Sequence, residues 1–177
     1  MLSIDYRYLR PKKAEALKKW YDAPVEVREN PEIWQGSNAT VLPLRRDDQL
    51  LFGRGGVVDS DGNYVDLSAI PGRVQYAYPF ENAEYRDETV VYCGYLVNHW
   101  GHFLIEGVTR LWYFLENDRR VDKYVFFLDE HEEREIKGNY REFLELLKIW
   151  DRLEIINRPT TYREVIIPEL GIHMRSA

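Results

Sequence analysis

Cysteine and long apolar stretches are what this sequence has least of. Its 177 residues include one cysteine, Cys93, so no disulfide can close within the chain and cysteine usage gives no sign of an oxidising compartment. No apolar run approaches the roughly eighteen residues that a membrane-spanning helix needs. The start, MLSIDYRYLRPKKAEALKKW, has no apolar stretch of the kind a secretory signal carries. The expectation is a soluble, cytoplasmic chain with no transmembrane segment. Asn38-Ala39-Thr40 has the form of a glycosylation acceptor, but without a secretory signal it reads as chance. An excess of basic charge is missing too. Lys and Arg number 24 against 30 Asp and Glu, and the net charge of -6 argues against a nucleic-acid partner held by phosphate neutralisation. Internal repeats and low-complexity tracts are also lacking.

What is present fits a globular protein. Hydrophobic residues make up 45% and charged residues 31%, enough for one compact domain with a real core, or for one lobe of something larger. Aromatic content is high at 14%, from thirteen Tyr, seven Phe and five Trp. Such rings suit flat ligands such as sugars and bases, and they are equally ordinary material for cores and interfaces.

Residues 1–45 read as a lead-in. A short helix follows Pro11 over residues 12–21, with Leu17 and Trp20 at helical spacing, and Pro24, Pro31 and Gly36 then break further regularity. From Thr40 the pattern turns to short antiparallel strands over residues 40–44, 50–52, 56–58 and 63–66. The run Asp59-Ser60-Asp61-Gly62-Asn63 is a hairpin signal. Gly53-Arg54-Gly55-Gly56 reads as a turn or bulge rather than a phosphate-cradling loop, because strand and hairpin flank it.

After Pro79 apolar strands alternate with helices. Strands are expected over 90–97, 124–128, 153–156 and 165–167, with helices over 99–117 and 140–150. In the second helix Phe143, Leu146, Leu147 and Trp150 would form the stripe facing the sheet. The acidic-basic tract 129–135 reads as a solvated loop or helix start. The fold class implied is α/β: a mostly parallel, Rossmann-like lobe over residues 46–177, preceded by a small antiparallel β-hairpin region.

The helix after the first apolar strand carries the chemistry. His102, Glu106 and Arg110 are spaced four apart and would share one face, with His99 a turn earlier. That face starts at the carboxyl end of a strand, where open α/β sheets bind ligands. A plainer alternative stands beside it: Glu106 and Arg110 make an ordinary i,i+4 ion pair, and the histidines cap the helix or fill space. His99, His102 and Glu106 could also point together at a metal. They lack the His-Glu-x-x-His spacing of zinc peptidases and a fourth ligand, so no metal is expected.

The run Asn98-His99-Trp100-Gly101-His102-Phe103-Leu104-Ile105-Glu106, followed by Arg110-Leu111-Trp112, resembles the signature of the family 61 glycosyltransferases, of the capsular-polysaccharide-biosynthesis kind. That signature has an aromatic-Gly-His-Phe-Leu run leading to Glu and then Pro-Arg-Leu. Gly55-Gly56-Val57-Val58-Asp59 with Asp61-Gly62 resembles the family's Gly-rich hairpin, and the residues from Phe143 to Pro168 resemble its downstream helix and strands. Thr109 stands where the family has Pro, and His99 where it commonly has Asn.

The resemblance implies a GT-B-type enzyme of two Rossmann-like lobes that transfers a sugar from a nucleotide-sugar donor to a glycan or other hydroxyl acceptor, with inversion. It further implies that His102 or Glu106 is the acceptor-side base or orienter and that Arg110 is an anion contact or the partner of Glu106. Asn98, His99 and Trp100 would lie against substrate. The chain is then expected to be the N-terminal, acceptor-facing lobe, with the donor-binding lobe absent from it and no cofactor bound by this lobe. Self-association through an open cleft side is a corollary. Two other functions compete with this one: a non-catalytic carbohydrate-binding or partner-docking domain, and a metal-dependent hydrolase using His102 and Glu106.

Overall fold

The computed structural model describes residues 11–21, 31–46, 53–70, 74–97, 99–117, 121–128 and 136–171. The chain divides into two units, Met1–Asn30 and Pro31–Ala177. The first contains helix α1, Pro11–Tyr21, which opens on a proline whose fixed φ suits the first helical turn. The expected strand 50–52 and the tract 129–135 lie outside the described residues.

The second unit is an α/β fold on a mixed six-stranded sheet. Its strands are β1 Ile33–Arg45, β2 Arg54–Val58, β3 Glu84–Tyr95, β4 Lys123–Phe127, β5 Leu153–Ile156 and β6 Thr160–Pro168, in the order β2-β1-β6-β3-β4-β5. Strands β6, β3, β4 and β5 run parallel, and β1 is antiparallel to both β2 and β6. The antiparallel front and the parallel back are therefore one sheet. Most of the 33–45 stretch, read in the sequence as lead-in, is a strand of that sheet paired with β6 from Ile33 to Val41. Pro43, which has no N–H to offer a ladder, falls beyond that pairing at the register irregularity between Leu42 and Arg45.

The near-continuous apolar sequences of β3 and β4 follow from burial on both faces. On one face Val91, Cys93, Tyr124, Phe126 and Ile166 pack against Phe103, Leu111, Leu144 and Ile149 from the helical segments. On the other, Val90, Tyr92, Val125, Phe127 and Val165 join Ala39, Val41, Val65 and Ile70. Gly94 changes the alternation. Val90 and Tyr92 face the second cluster before it, and Tyr95 and Val97 after it. A register slip against β4 lies between Tyr92 and Gly94, and Gly94 has φ 90°. A Cβ there would lie 2.7 Å from Ile70 Cδ1. Only glycine fits this bulge.

The connection from β5 to β6 separates this sheet from a doubly wound one. Parallel strands in one sheet ordinarily need a crossover of roughly a dozen residues, yet three residues, Asn157 to Pro159, lead from the edge strand to a strand three places away. The sheet must curl until the end of β5 meets the start of β6. Side chains close that curl: Arg86 on β3 forms an ion pair with Glu154 on β5, and Tyr162 on β6 donates from its hydroxyl to the same carboxylate at 3.2 Å. The Glu84 N–H, at the start of β3, donates to the Pro159 carbonyl at 3.1 Å. The α/β class holds, and the sheet is mixed and rich in strand.

Three local expectations change. Helix α2 is only Trp100–His102, followed by a π-turn Phe103–Gly107 and a separate helix α3, Trp112–Glu116. Helix α4 is Asn139–Leu146, and Leu146 is 80% exposed rather than on the buried stripe. The helix stops there because Lys148 takes φ 58°, and Trp150 then belongs to a 3₁₀ turn, Trp150–Arg152. The expected strand 63–66 reduces to a single bridge, Val58 to Tyr64, and a 3₁₀ turn, Asp66–Ser68. The turn before it forms as its residues predict: the Asp59 carboxylate accepts from the backbone N–H of Asp61 and of Asn63 at 3.0 and 2.8 Å, which lowers its pKa. Among the described residues no helix is long and apolar enough to cross a membrane.

The Gly94 bulge gives a stability test. Gly94→Val should lower the unfolding free energy by about 2 kcal/mol or more in urea titration, from overpacking and a strained φ. A loss below about 0.5 kcal/mol, the ordinary surface range, would contradict the bulge's role.

Candidate functional site

The candidate site begins where β3 ends. The Leu96 N–H still reaches the Phe127 carbonyl at 2.9 Å, and the chain then leaves the sheet towards His99. His99 is extended (φ -147°) and helical hydrogen bonding starts beyond it, with the Phe103 N–H donating to the His99 carbonyl at 2.8 Å. Gly107, Val108 and Thr109 are poor helix formers in succession. The helix widens before them, and the Val108 N–H donates to the Phe103 carbonyl five residues back at 3.0 Å. Such π-turns change the angular position of every later side chain.

This turn splits the expected row. His102, just before the π-turn, and Glu106 within it still meet: Nδ1 and Oε1 are 2.7 Å apart. The His102 side chain is 38% exposed and that of Glu106 12%. An ionised carboxylate can only accept, so against Glu106 a neutral imidazole takes the tautomer with its proton on Nδ1 and its lone pair on Nε2. Such a carboxylate-oriented imidazole can take a proton from a hydroxyl placed against it. The His99 ring lies 5.0 Å from the His102 ring, centroid to centroid. Trp100, 40% exposed, stacks on Phe103 at 5.4 Å and meets the ring of Tyr140 edge-on at 5.5 Å. His99, Trp100, His102 and Glu106 thus come together. Asn98 lies outside the described residues.

Arg110 does not join them. It is fully buried, with Nη1 donating to the Pro168 carbonyl at the end of β6. Nη2 donates to the carbonyls of Leu67 and Ala69 at 2.8 and 3.1 Å. Its guanidinium carbon sits 5.3 Å above the ring of Tyr92, whose hydroxyl donates to the Ser68 carbonyl at 3.1 Å. Burial pulls the guanidinium pKa down. Among the described residues its Nε has no acceptor. The expected anion contact or Glu106 partner is instead a buried tie between the helical segment, the end of β6 and the 66–69 turn, and a leaving phosphate has no access to it here. Spacing alone missed this because the π-turn inserts an extra residue into the repeat of four.

Cys93 is buried beneath the same segment, and burial pushes its thiol pKa up, so it is an inert core residue. Among the described residues no group of three His, Cys, Asp or Glu side chains is arranged to hold a metal ion. The sequence also gave no notice of a solvent-open hollow of about 660 Å³. It lies at the carboxyl ends of β4 and β5, lined by Leu128 and Ile156 with Arg45, Tyr78, Phe80 and Asn157, and none of the four clustered residues lines it. Its residues come from four separated segments, so no local pattern marks it.

Removing the charged tie should unfold the segment before it affects chemistry. Arg110→Met is expected to cost about 3 kcal/mol in chemical denaturation, since one buried and two part-buried backbone carbonyls lose this donor. A variant as stable as the parent would show that the guanidinium is dispensable to the fold.

Comparison with family models, with curated proteins and with solved structures finds no match for this chain.

Proposed function

We propose that this chain is the acceptor-side lobe of an inverting glycosyltransferase, using the His102–Glu106 pair on the acceptor hydroxyl. The observation that carries the reading is the 2.7 Å contact between His102 Nδ1 and Glu106 Oε1 at the carboxyl end of β3. It rests also on the sequence resemblance of residues 98–112 to the family 61 glycosyltransferases. In the proposed step the acceptor O–H gives its proton to His102 Nε2. The freed oxygen forms a bond to the anomeric carbon of the donor sugar. The bond from that carbon to the phosphate oxygen breaks on the opposite face, and the nucleoside diphosphate leaves with the electron pair. Glu106 stabilises the imidazolium that results, and the exposed faces of His99 and Trp100 lie where an acceptor glycan would approach. The donor is held by a second lobe, and the product belongs to surface or capsular polysaccharide.

A second reading has its own observation. Burial of Arg110 takes the motif's cation away from the dyad, which favours a carbohydrate-binding domain without transfer chemistry. One experiment separates the two. The protein is incubated with nucleotide sugars and oligosaccharide acceptors, and release of nucleoside diphosphate is followed. Transfer is expected in the parent when the donor-binding lobe is supplied with it in one full-length enzyme. His102→Ala and Glu106→Gln should each lower turnover by about 100-fold or more with thermal midpoints little changed. Parallel loss of turnover and stability would make the pair structural, and no transfer with saccharide binding retained would select the binding domain.

A further inference from the structure

We propose that the hollow at the carboxyl ends of β4 and β5 is a second saccharide subsite that holds one neutral pyranose ring of a glycan against Phe80. This rests on the glycan-directed reading above, and it concerns a place in the fold that the His102–Glu106 pair does not touch.

Four observations carry it. The hollow has about 660 Å³ of space, inside the range of small-ligand sites and ample for a single hexose with its neighbours projecting into solvent. It lies where the parallel strands β4 and β5 end, the side on which α/β sheets offer ligands backbone groups and loop side chains.

Its wall is held in place. The Tyr78 hydroxyl donates to the Pro43 carbonyl at 3.1 Å, and the Gly55 N–H donates to the Tyr76 carbonyl at 2.8 Å, so the extended 76–80 segment is tied to both β1 and β2. Arg45 sits 5.6 Å from the Tyr78 ring and occupies that ring's partner position. Burial pushes the Tyr78 phenol up to about 12, so it remains a neutral donor. Among the described residues no ring or cation is stacked on Phe80, which is half-buried and lines the same space. A rigid aromatic ring left without an aromatic neighbour is what the apolar C–H face of a sugar stacks on.

The chemistry of the rim decides the ligand class. Arg45 and Glu81 bring one charge of each sign, and Asn157 adds a side chain that both donates and accepts. That balance suits hydroxyl groups, which donate and accept in turn. A nucleotide would ask for more. Among the described residues the hollow has one cation beside one carboxylate and no glycine-rich turn opening a helix, which is not the donor set that holds a diphosphate. Ile155, Ile156 and Leu44 supply the apolar floor.

The test uses the whole protein and three probes, cellohexaose, chitohexaose and mannohexaose, with uridine diphosphate as the competing ligand. Binding is followed by saturation-transfer NMR and titration calorimetry. At least one hexasaccharide is expected to bind, with affinity weakened about tenfold by Phe80→Ala and by Asn157→Ala while the thermal midpoint stays within about 2 °C of the parent. Absence of binding by all three, or binding unchanged in both variants, would overturn the subsite. Binding of uridine diphosphate that is lost in Phe80→Ala would overturn it in favour of a nucleotide site.

The outcome is independent of catalysis. Phe80-dependent saccharide binding without transfer from any nucleotide sugar, with the donor-binding lobe supplied, keeps the subsite and removes the transferase reading. Transfer that is indifferent to both variants does the reverse.

Discussion

A single buried guanidinium sets the geometry of the candidate site. Arg110 is withdrawn wholly from solvent, and its donors go to carbonyls at the end of β6 and in the 66–69 turn. A cation so placed is costly to desolvate, and its bonds to one buried and two part-buried carbonyl oxygens offset that cost. The consequence reaches beyond stability. The Phe103–Gly107 π-turn takes Arg110 off the face that carries His102 and Glu106, and its bonds to the 66–69 turn and the end of β6 hold it there. His102 and Glu106 are thereby left as a pair at the mouth of the segment, close to the end of β3.

The sheet supplies the second constraint. Its parallel strands place His99 to Glu106, Leu128 and the 157–159 connection along carboxyl ends, while the Arg86–Glu154–Tyr162 cluster pulls β5 back over β3 and β6. Curling of this kind divides the buried residues into two clusters on opposite faces. It also separates the dyad from the hollow beside Tyr78 and Phe80. Two chemically different places result: one with a polarised imidazole, the other with an aromatic wall and balanced polar tips.

Much of this was legible in the residues. The apolar runs in 90–97, 124–128, 153–156 and 165–167 mark strands that form, and the four-residue spacing of His102 and Glu106 marks a contact that forms. The Asp59–Asn63 turn closes through the hydrogen bonds its residue types predict. What escaped depends on interactions that no local window contains. The pairing of β1 with β6 joins distant segments, and β1 reads locally as part of an irregular lead-in. The inward swing of Arg110 depends on carbonyls near residues 67 and 168. Leu146 matched a helical stripe and lies exposed, since the helix packs through Tyr140, Phe143, Leu144 and Leu147, a face from which Leu146 is turned away. The three-residue step between β5 and β6 follows from curvature of the whole sheet, and strand and helix alternation carries no information on curvature.

The central claim is that Glu106 orients His102 so that Nε2 is the base presented outward. The direct measurement is the tautomer of the neutral His102 imidazole, read from its ring ¹⁵N shifts and long-range ¹H–¹⁵N couplings in the parent protein and in Glu106→Gln. The proton is expected on Nδ1 in the parent, with that preference weakened in the variant. A proton on Nε2, or a tautomer ratio indifferent to Glu106, would contradict it.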